Sequence, residues 1–210
     1  NCSPLDLIWI LYDKARRNDF GELSRFMAYA CRGGGKTLAA SALELIILLH
    51  FGREIAHMAA ILPQSQKSQE YLRGFTESLY ISDFKIGQNV KKMEIIWFTG
   101  KNTLLNQSEF DKLSGPEKAQ HKRHWTYIQT VICNMPGANS AHVNGMFCVD
   151  EVDVVPKQNI KAYHQAKSIP DAREGILPFT LLTSTRKSRI GLVQAELDDA
   201  RAMMTPEQYA

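Results

Sequence analysis

Apolar residues in the first eighty positions fall into alternating helix-like and strand-like segments. Residues 4–20 carry apolar side chains at helical spacing, and a long apolar helix is predicted over about residues 36–50. Short apolar runs at 24–31 and 55–62 are typical of buried strands, the second being closed by a proline. Residues 64–80 are polar with scattered apolar positions, which predicts a surface helix.

The same alternation continues to the end of the chain. Two apolar runs flank a Gly-Lys-Asn turn and predict a hairpin over residues 93–105. The remaining pattern predicts strands at 126–133, 146–150 and 178–183 and helices at 159–168 and 192–204. It also predicts loop or irregular helix at 108–124 and a loop with one helical turn at 136–145. Strands that alternate with helices predict an α/β fold, a three-layer α/β/α sandwich with a mostly parallel central sheet.

Composition and charge narrow the class of protein. The chain has 210 residues, of which 44% are hydrophobic and 22% are charged. This is ordinary globular composition and excludes intrinsic disorder. The formal net charge of +3 is too small to indicate nucleic-acid binding by itself. We expect one domain over residues 1–210, excised from a longer chain, because there is no initiator Met and the last residues form no closing element.

The longest apolar run extends from Leu38 to Phe51 and is interrupted by Ser41, Glu44 and His50. Its 14 residues suit a buried core helix better than a membrane span. The sequence has no recognisable signal peptide, so we expect an intracellular protein.

Four cysteines are present, at positions 2, 31, 133 and 148, and none forms a CxxC pair. Cys31 and Cys148 fall inside apolar, strand-like runs. We therefore expect them to be buried, reduced thiols.

The sharpest motif is the octapeptide ACRGGGKT at residues 30–37, between the first strand and the long helix. A phosphate-binding loop needs glycines that let backbone N–H groups point inward, a lysine, and a hydroxyl for Mg²⁺ at a helix N-terminus. These residues are Gly33, Gly34, Gly35, Lys36 and Thr37. The strict GxxxxGK[ST] pattern fails at one position, where Ala30 replaces the first glycine. The competing interpretation is a glycine-rich turn with solvated charges.

Arg32 is a further candidate in this loop. It lies three residues before Gly35, where a guanidinium is able to reach a γ-phosphate in bidentate geometry.

A pair of carboxylates follows the apolar strand 146–150. Asp150 and Glu151 would lie at the carboxyl edge of a parallel sheet, where ligands bind in such folds. Hydrolysis of Mg·ATP needs one acid near the metal and a second acid to orient the attacking water. Adjacent strand residues point to opposite sides, so the two acids are expected to divide these roles. The competing interpretation is a strand end with solvated acids.

A third buried strand ends in the hydroxyls of Thr183, Ser184 and Thr185. Hydroxyls at that edge are able to hydrogen-bond a γ-phosphate or a water and report its loss. Capping of the turn after the strand is the competing interpretation.

Together these elements resemble the ATPase domain of tailed-bacteriophage large terminases, the DNA-packaging motors. The loop CRGGGKT resembles that family's variant Walker A, VDE at 149–151 its Walker B with catalytic glutamate, and TST at 183–185 its coupling motif. The hairpin IIWFTGKNTLL resembles a strand–turn–strand between the first two. The resemblance covers about residues 24–190 and implies a P-loop NTPase of the RecA-like/ASCE type, here without the family's nuclease domain.

The resemblance also implies roles for individual residues. ATP would be bound by Arg32, Gly33, Gly34, Gly35, Lys36, Thr37 and Leu38. Thr37 and Asp150 would hold Mg²⁺, Glu151, Arg32 and Lys36 would be catalytic, and Thr183, Ser184 and Thr185 would couple hydrolysis to domain motion.

The activity implied is Mg-dependent ATP hydrolysis that powers translocation of double-stranded viral DNA into a procapsid, in the host cell cytoplasm and without a membrane. The implied partners are double-stranded DNA, a portal protein, a small terminase subunit and further copies of the chain in a ring. A ring implies an arginine supplied by a neighbouring copy, and the candidates are Arg73, Arg123, Arg173, Arg186 and Arg189.

Three alternatives stay open. A RecA-like helicase or translocase would carry a second ATPase-like half with an arginine motif. A nucleotide switch without turnover would need a base-reading NKxD motif, which the sequence lacks. A non-enzymatic interaction domain requires that the glycine loop and the acid pair are both purely structural.

Overall fold

The apolar strands assemble into one eight-stranded sheet. The structure, a computed structural model, describes residues 3–20, 24–77, 81, 85–89, 91–98, 103–104, 107–120, 123–173, 175–185 and 190–203. The strands are β1 (Arg25–Tyr29), β2 (Ile55–Ala59), β3 (Lys85–Gln88), β4 (Lys92–Phe98), β5 (Thr103–Leu104), β6 (Arg123–Ile132), β7 (Met146–Asp150) and β8 (Phe179–Ser184). Their spatial order is β1-β8-β7-β2-β6-β4-β3, and β5 pairs with β4.

Five neighbouring strands, β1, β8, β7, β2 and β6, are parallel, whereas β4 runs antiparallel to β6, β3 and β5. The mostly parallel sheet predicted from the sequence is therefore confirmed. The register pairs Tyr29 with Ser184 and Ala59 with Asp150. The carboxyl ends of β1, β8, β7 and β2 consequently lie together at one edge of the sheet.

Helices cover both faces of the sheet, as the three-layer prediction requires. They are α1 (Pro4–Arg17), α2 (Lys36–Phe51), α3 (Leu62–Thr76), α4 (Gln107–Lys112), α5 (Gly115–Gln120), α6 (Met135–Ser140), α7 (Ile160–Ala166) and α8 (Leu192–Met203). The apolar faces of α1, α2 and α3 pack in one core cluster, and those of α6, α7 and α8 pack in a second cluster. Helix α2 is almost wholly apolar because it is enclosed by α1, α3 and the sheet.

Alternation along the central strands decides which side chains face α2. In β7, Cys148 joins the core cluster that contains α2, while Phe147 and Val149 join the opposite one. The same period of two turns His57 of β2 and Asp150 of β7 toward α2. A line of polar groups thus lies between α2 and the sheet.

Several predicted elements differ from those observed. The apolar run 55–62 is a strand only to Ala59, because Pro63 lies in the first turn of α3 rather than closing a strand. Strand β3 has no counterpart among the predictions, and the segment predicted as loop or irregular helix at 108–124 contains α4, α5 and the start of β6. The predicted hairpin is confirmed by the pairing of Trp97 with Leu104, and its Gly-Lys-Asn turn lies outside the described residues.

The prediction for Cys31 is wrong. Strand β1 ends at Tyr29, so Cys31 lies in the following loop and is exposed, whereas Cys148 is buried as predicted. Both are free thiols, as is Cys133. Among the helices that the structure describes, none is long and apolar enough to cross a membrane.

Candidate active site

The glycine loop (residues 30–37) joins β1 to α2 at the shared carboxyl edge of the sheet. Gly33 and Gly35 have φ values of 80° and 75°, in the left-handed region that side chains disfavour. A Cβ on Gly34 would lie 3.0 Å from the carbonyl oxygen of Cys31. The backbone conformation therefore favours glycine at positions 33 and 35, and a side chain at position 34 would crowd the turn.

The alanine at the first loop position is compatible with this shape. Only Asn18 and Glu151 have positive φ among the described non-glycine residues, so Ala30 is under no such strain. Its N–H donates to the carbonyl of Ser184 at 3.3 Å and extends the β1–β8 pairing by one step. The departure from the strict motif thus leaves the loop geometry intact.

Helix α2 begins directly at the loop, with Gly35 as its N-cap residue. Because Gly35 has no side chain, it offers no capping oxygen to the first-turn N–H groups. The partial positive charge of this 16-residue helix faces the loop and favours an anion there.

Lys36 is buried and connects the loop to the ends of β7 and β8. Its Nζ donates to the carbonyls of Ala30 at 3.3 Å and Cys31 at 3.2 Å, and to Thr185 Oγ1 at 2.9 Å. Oε1 of Glu151 lies 3.6 Å away. The ammonium is thereby held in the concave side of the loop, next to the acid pair.

Asp150 lies between two hydroxyls. Thr37 Oγ1 donates to its Oδ2 at 2.7 Å, and Thr183 Oγ1 donates to its Oδ1. A carboxylate beside a threonine hydroxyl is an all-oxygen donor set, which Mg²⁺ prefers. The two residues predicted to hold the metal are thus adjacent, and their chemistry fits that ion.

Glu151 is separated from Asp150 by a turn rather than by strand alternation. Strand β7 ends at Asp150, and Glu151 has φ 53° and ψ 54°. This left-handed conformation costs about 1–3 kcal/mol for a residue with a side chain. Its Oε2 accepts the N–H of Thr185 at 3.1 Å, and its side chain stays 22% exposed. Glu151 is therefore fixed in orientation while remaining accessible to water.

The three hydroxyl residues predicted as a coupling element make different contacts. Thr183 binds Asp150, and Thr185 contacts both Lys36 and Glu151. Ser184 Oγ accepts the N–H of Asp153 at 3.1 Å. The end of β8 therefore touches every charged side chain at the centre of the site.

Arg32 and Leu38 are less engaged than the other predicted residues. Both side chains are exposed. Arg32 makes no hydrogen bond or ion pair within the described ranges, so its role at a phosphate stays a prediction.

A cleft of about 590 Å³ opens between α1 and the glycine loop. It is lined by Pro4, Leu7 and Ile10 from α1, and by Tyr29, Cys31 and Lys36 from the loop region. The volume is in the range of small-molecule sites. No motif in the sequence predicted it, because the cleft forms only when α1 packs beside the loop.

Sequence reasoning also missed a buried polar group beneath the loop. His57 is fully buried, with Nδ1 2.6 Å from Glu44 Oε1 and Nε2 4.0 Å from Asp150 Oδ2. Burial lowers the pKa of His57, but the Glu44 charge and hydrogen bond and the Asp150 charge outweigh it, so the pKa is raised. The available signal was the pair of polar interruptions, Glu44 and His57, in otherwise apolar runs.

Comparisons with known proteins identify the fold. No protein-family model matches the chain, and no curated protein matches its sequence. Among solved structures, the HK97 bacteriophage large terminase is similar with a TM-score of 0.59 and 12% identity over 93% of this chain. The large terminase of the thermophilic bacteriophage D6E has a TM-score of 0.58 and 10% identity over 98% of the chain. The large terminase ATPase domain of Thermus phage P74-26 has a TM-score of 0.55 and 15% identity over 90%.

The chain corresponds to only part of two of these proteins. It spans 36% of the HK97 protein, 48% of the D6E protein and 72% of the P74-26 domain. At these identities the similarity shows the fold alone, which this chain shares with the large terminase ATPase domain of phage P74-26.

Proposed function

We propose that the chain is the ATPase domain of a DNA-packaging motor of the large terminase type, which hydrolyses ATP with Mg²⁺. The proposal rests on one observation above all. The glycine loop, the Lys36 ammonium, the Thr37–Asp150 pair and Glu151 meet at one edge of the sheet. If the glycine loop and the acid pair were purely structural, nothing would explain why these groups meet.

Each group at this edge has a role in the proposed reaction. The loop N–H groups and Lys36 bind the β- and γ-phosphates, while Thr37 and Asp150 hold Mg²⁺. When bound, Mg²⁺ neutralises charge on the phosphate oxygens. Glu151 orients the attacking water and accepts its proton, for which its fixed orientation and partial exposure are suited. Arg32 reaches the γ-phosphate from the exposed side of the loop.

The end of β8 transmits the state of the site. Thr185 contacts Lys36 and Glu151, and Thr183 contacts Asp150, so loss of the γ-phosphate changes the partners of both hydroxyls. Ser184 bonds the turn that follows β7. We infer that these three residues couple hydrolysis to motion outside the site.

The cleft beside α1 is the place we assign to the nucleoside. It is continuous with the glycine loop because Cys31, Gly34 and Lys36 line it. Its apolar wall from α1 suits the faces of a base.

The similarity of fold supports the proposed motor role and, with it, the proposed partners. The neighbours are large terminases, and one further neighbour is the bacteriophage Phi-29 packaging motor assembly, with a TM-score of 0.51. We infer that this chain acts in the host cytoplasm as a ring on double-stranded DNA, with a portal protein and a small subunit.

An arginine from a neighbouring copy completes the site in this proposal. Arg73 is exposed, and Arg173 is already paired with Glu54 at 3.3 Å and Asp171 at 3.5 Å. The side chain of Arg123 and residues 186–189 lie outside the described parts. Arg73 is therefore the candidate with an exposed side chain and no described ion pair.

Phosphate release from ATP tests the proposal, measured with and without Mg²⁺ and linear double-stranded DNA. Wild-type protein is expected to hydrolyse ATP only with Mg²⁺. Lys36→Ala should abolish turnover with an unchanged circular dichroism spectrum, because the phosphate charge loses its partner. Equal turnover in both proteins would overturn the assignment. Strand separation of a forked duplex would favour the helicase alternative over packaging.

A further inference from the structure

A circuit of polar groups lies between α2 and the sheet, beneath the glycine loop. Hydrogen bonds join its members except at one place, where His57 Nε2 lies 4.0 Å from Asp150 Oδ2. Its members are contributed by α2, α3, β2 and β7. They are Thr37, Ser41, Glu44, His57, Ser68 and Asp150. Glu44, His57, Ser41 and Ser68 have no exposed surface.

One half of the circuit connects the proposed metal ligands to a histidine. Thr37 Oγ1 donates to Asp150 Oδ2 at 2.7 Å, and His57 Nε2 lies 4.0 Å from the same oxygen. On its other side, His57 Nδ1 is 2.6 Å from Glu44 Oε1. The imidazole thus lies between Asp150 and a carboxylate on α2, and its hydrogen bond among the described residues is to the latter.

The other half of the circuit consists of hydrogen bonds that lead from Glu44 through α3 back to the start of α2. Ser68 Oγ donates to Glu44 Oε2 at 3.1 Å and lies 3.1 Å from Ser41 Oγ. Ser41 donates to the carbonyl of Thr37 at 2.8 Å. Glu44 is therefore held from α3 and cannot turn away from His57 without losing a buried hydrogen bond.

Burying such a circuit costs free energy of folding that apolar side chains at the same place would not cost. A buried polar group without a full set of partners costs about 1–3 kcal/mol. His57 Nε2 has no hydrogen-bond partner among the described residues, and Asp150 Oδ2 lies 4.0 Å from it. Ile55, two positions earlier on the same face of β2, is apolar and fully buried, so an apolar side chain suits this face. The cost indicates a function for His57.

A second interpretation of the same residues is a buried metal centre, since ligand atoms of Glu44, His57 and Cys148 lie within 4.8 Å of one another. Both carboxylate oxygens of Glu44 are already engaged, Oε1 with His57 Nδ1 at 2.6 Å and Oε2 with the Ser68 hydroxyl at 3.1 Å. The cluster therefore suits support of Asp150 better than metal binding.

We propose that His57, held by Glu44, is a positioning residue that fixes the carboxylate of Asp150 relative to Thr37 for metal–nucleotide binding. This inference rests on the proposed function, since it assigns a supporting residue to the same site. It links the orientation of Asp150 to α2 and α3, which pack against each other.

The test measures metal affinity rather than turnover alone. Mn²⁺ binding is followed by electron paramagnetic resonance with a non-hydrolysable ATP analogue, and nucleotide binding without metal is followed in EDTA. His57→Gln is expected to weaken Mn²⁺ binding about 10- to 100-fold, as for other residues that orient metal ligands, with little change in metal-free nucleotide affinity. Leu48→Ala, at a fully buried α2 position outside the circuit, is the matched control.

The outcomes separate this inference from the proposed function. Unchanged Mn²⁺ affinity in folded His57→Gln, or an equal loss in Leu48→Ala, would overturn the role of His57. Zinc retained by the purified wild-type protein and lost in His57→Gln would overturn it in favour of a metal centre. If His57→Gln does not fold, Glu44→Gln replaces it with the same expected direction. Wild-type protein that binds no Mn²⁺–nucleotide would instead overturn the proposed function.

Discussion

Asp150 and Glu151 are adjacent in sequence but have different surroundings, and this difference supports separate roles. Asp150 is 2% exposed and bonded to two hydroxyls, whereas Glu151 is partly exposed and faces Lys36. The left-handed backbone of Glu151 produces the separation. The strained backbone of Glu151 therefore places this acid nearer to water than Asp150.

Glu151→Gln is expected to keep nucleotide binding and lose turnover by about 100-fold or more, because the amide cannot accept the proton of the attacking water. The change preserves the side-chain shape and the acceptor for the Thr185 N–H. Steady-state phosphate release together with binding of a fluorescent ATP analogue checks this. If binding disappears with turnover, Glu151 is structural or a metal ligand.

The residues of the loop were predictable and those beneath it were not. Gly33 to Thr37 carry their chemistry in a local pattern, since the turn and the helix start are set by adjacent residues. His57 acts through Glu44 and Asp150, which are distant in sequence and meet only after the sheet and α2 have packed. An isolated histidine in an apolar run indicates burial but does not identify its partner.

At the scale of elements, α8 illustrates a contact that joins distant segments. The N–H of Val193, in the first turn of α8, donates to Asp153 Oδ1 at 2.9 Å. Asp153 follows the acid pair and also binds Ser184 through its N–H. A carboxylate from the end of β7 thus caps a helix 40 residues later.

Gly191→Ala is expected to destabilise the fold, because a Cβ there would clash with Asp153 Oδ1 and displace the cap. Loss of such a cap costs about 1 kcal/mol, and overpacking adds to it. Urea denaturation of the purified protein measures the change in the free energy of unfolding.

Gly74→Ala is the control for that measurement. Gly74 lies inside α3, and a Cβ there would meet nothing within 4 Å. Alanine is expected to raise the free energy of unfolding by about 0.5–1 kcal/mol at such a position. Equal effects of the two substitutions would contradict the assigned role of Asp153.

Helices and strands with a strong hydrophobic pattern were predicted well, whereas a strand that depends on pairing with its neighbour was not. Helix α2 and strand β7 show their burial in continuous apolar runs. Strand β3 is short and exists because it pairs with β4 at the edge of the sheet. The start of α3 was missed because Pro63 fits the first turn of a helix as well as the end of a strand.

For the whole molecule, the class of fold follows from the alternation of strands and helices, but the strand order does not. Strand β8 lies between β1 and β7, so the hydroxyls at its carboxyl end contact both Lys36 of the glycine loop and the acids. The sequence pattern indicates which strands are buried on both faces without identifying their neighbours. The arrangement of the site therefore depended on the three-dimensional structure.

Assembly determines the expected rate of the isolated domain. In the proposed ring, a neighbouring copy supplies an arginine, and such arginines are worth about 10³- to 10⁵-fold in rate. Turnover per chain should therefore be slow in dilute monomer and rise with protein concentration. Added Lys36→Ala protein should stimulate wild-type turnover because it still offers its arginine. Fast turnover by a proven monomer would contradict ring completion.

The central claim is that the glycine loop, Lys36, Thr37 and the two acids act on a single metal–triphosphate. A crystal structure with a non-hydrolysable ATP analogue and Mg²⁺ tests it most directly. The account predicts phosphates within hydrogen-bond distance of the loop N–H groups and Lys36 Nζ, with Mg²⁺ beside Thr37 Oγ1 and Asp150. A nucleotide bound elsewhere, or a metal remote from Asp150, would contradict it.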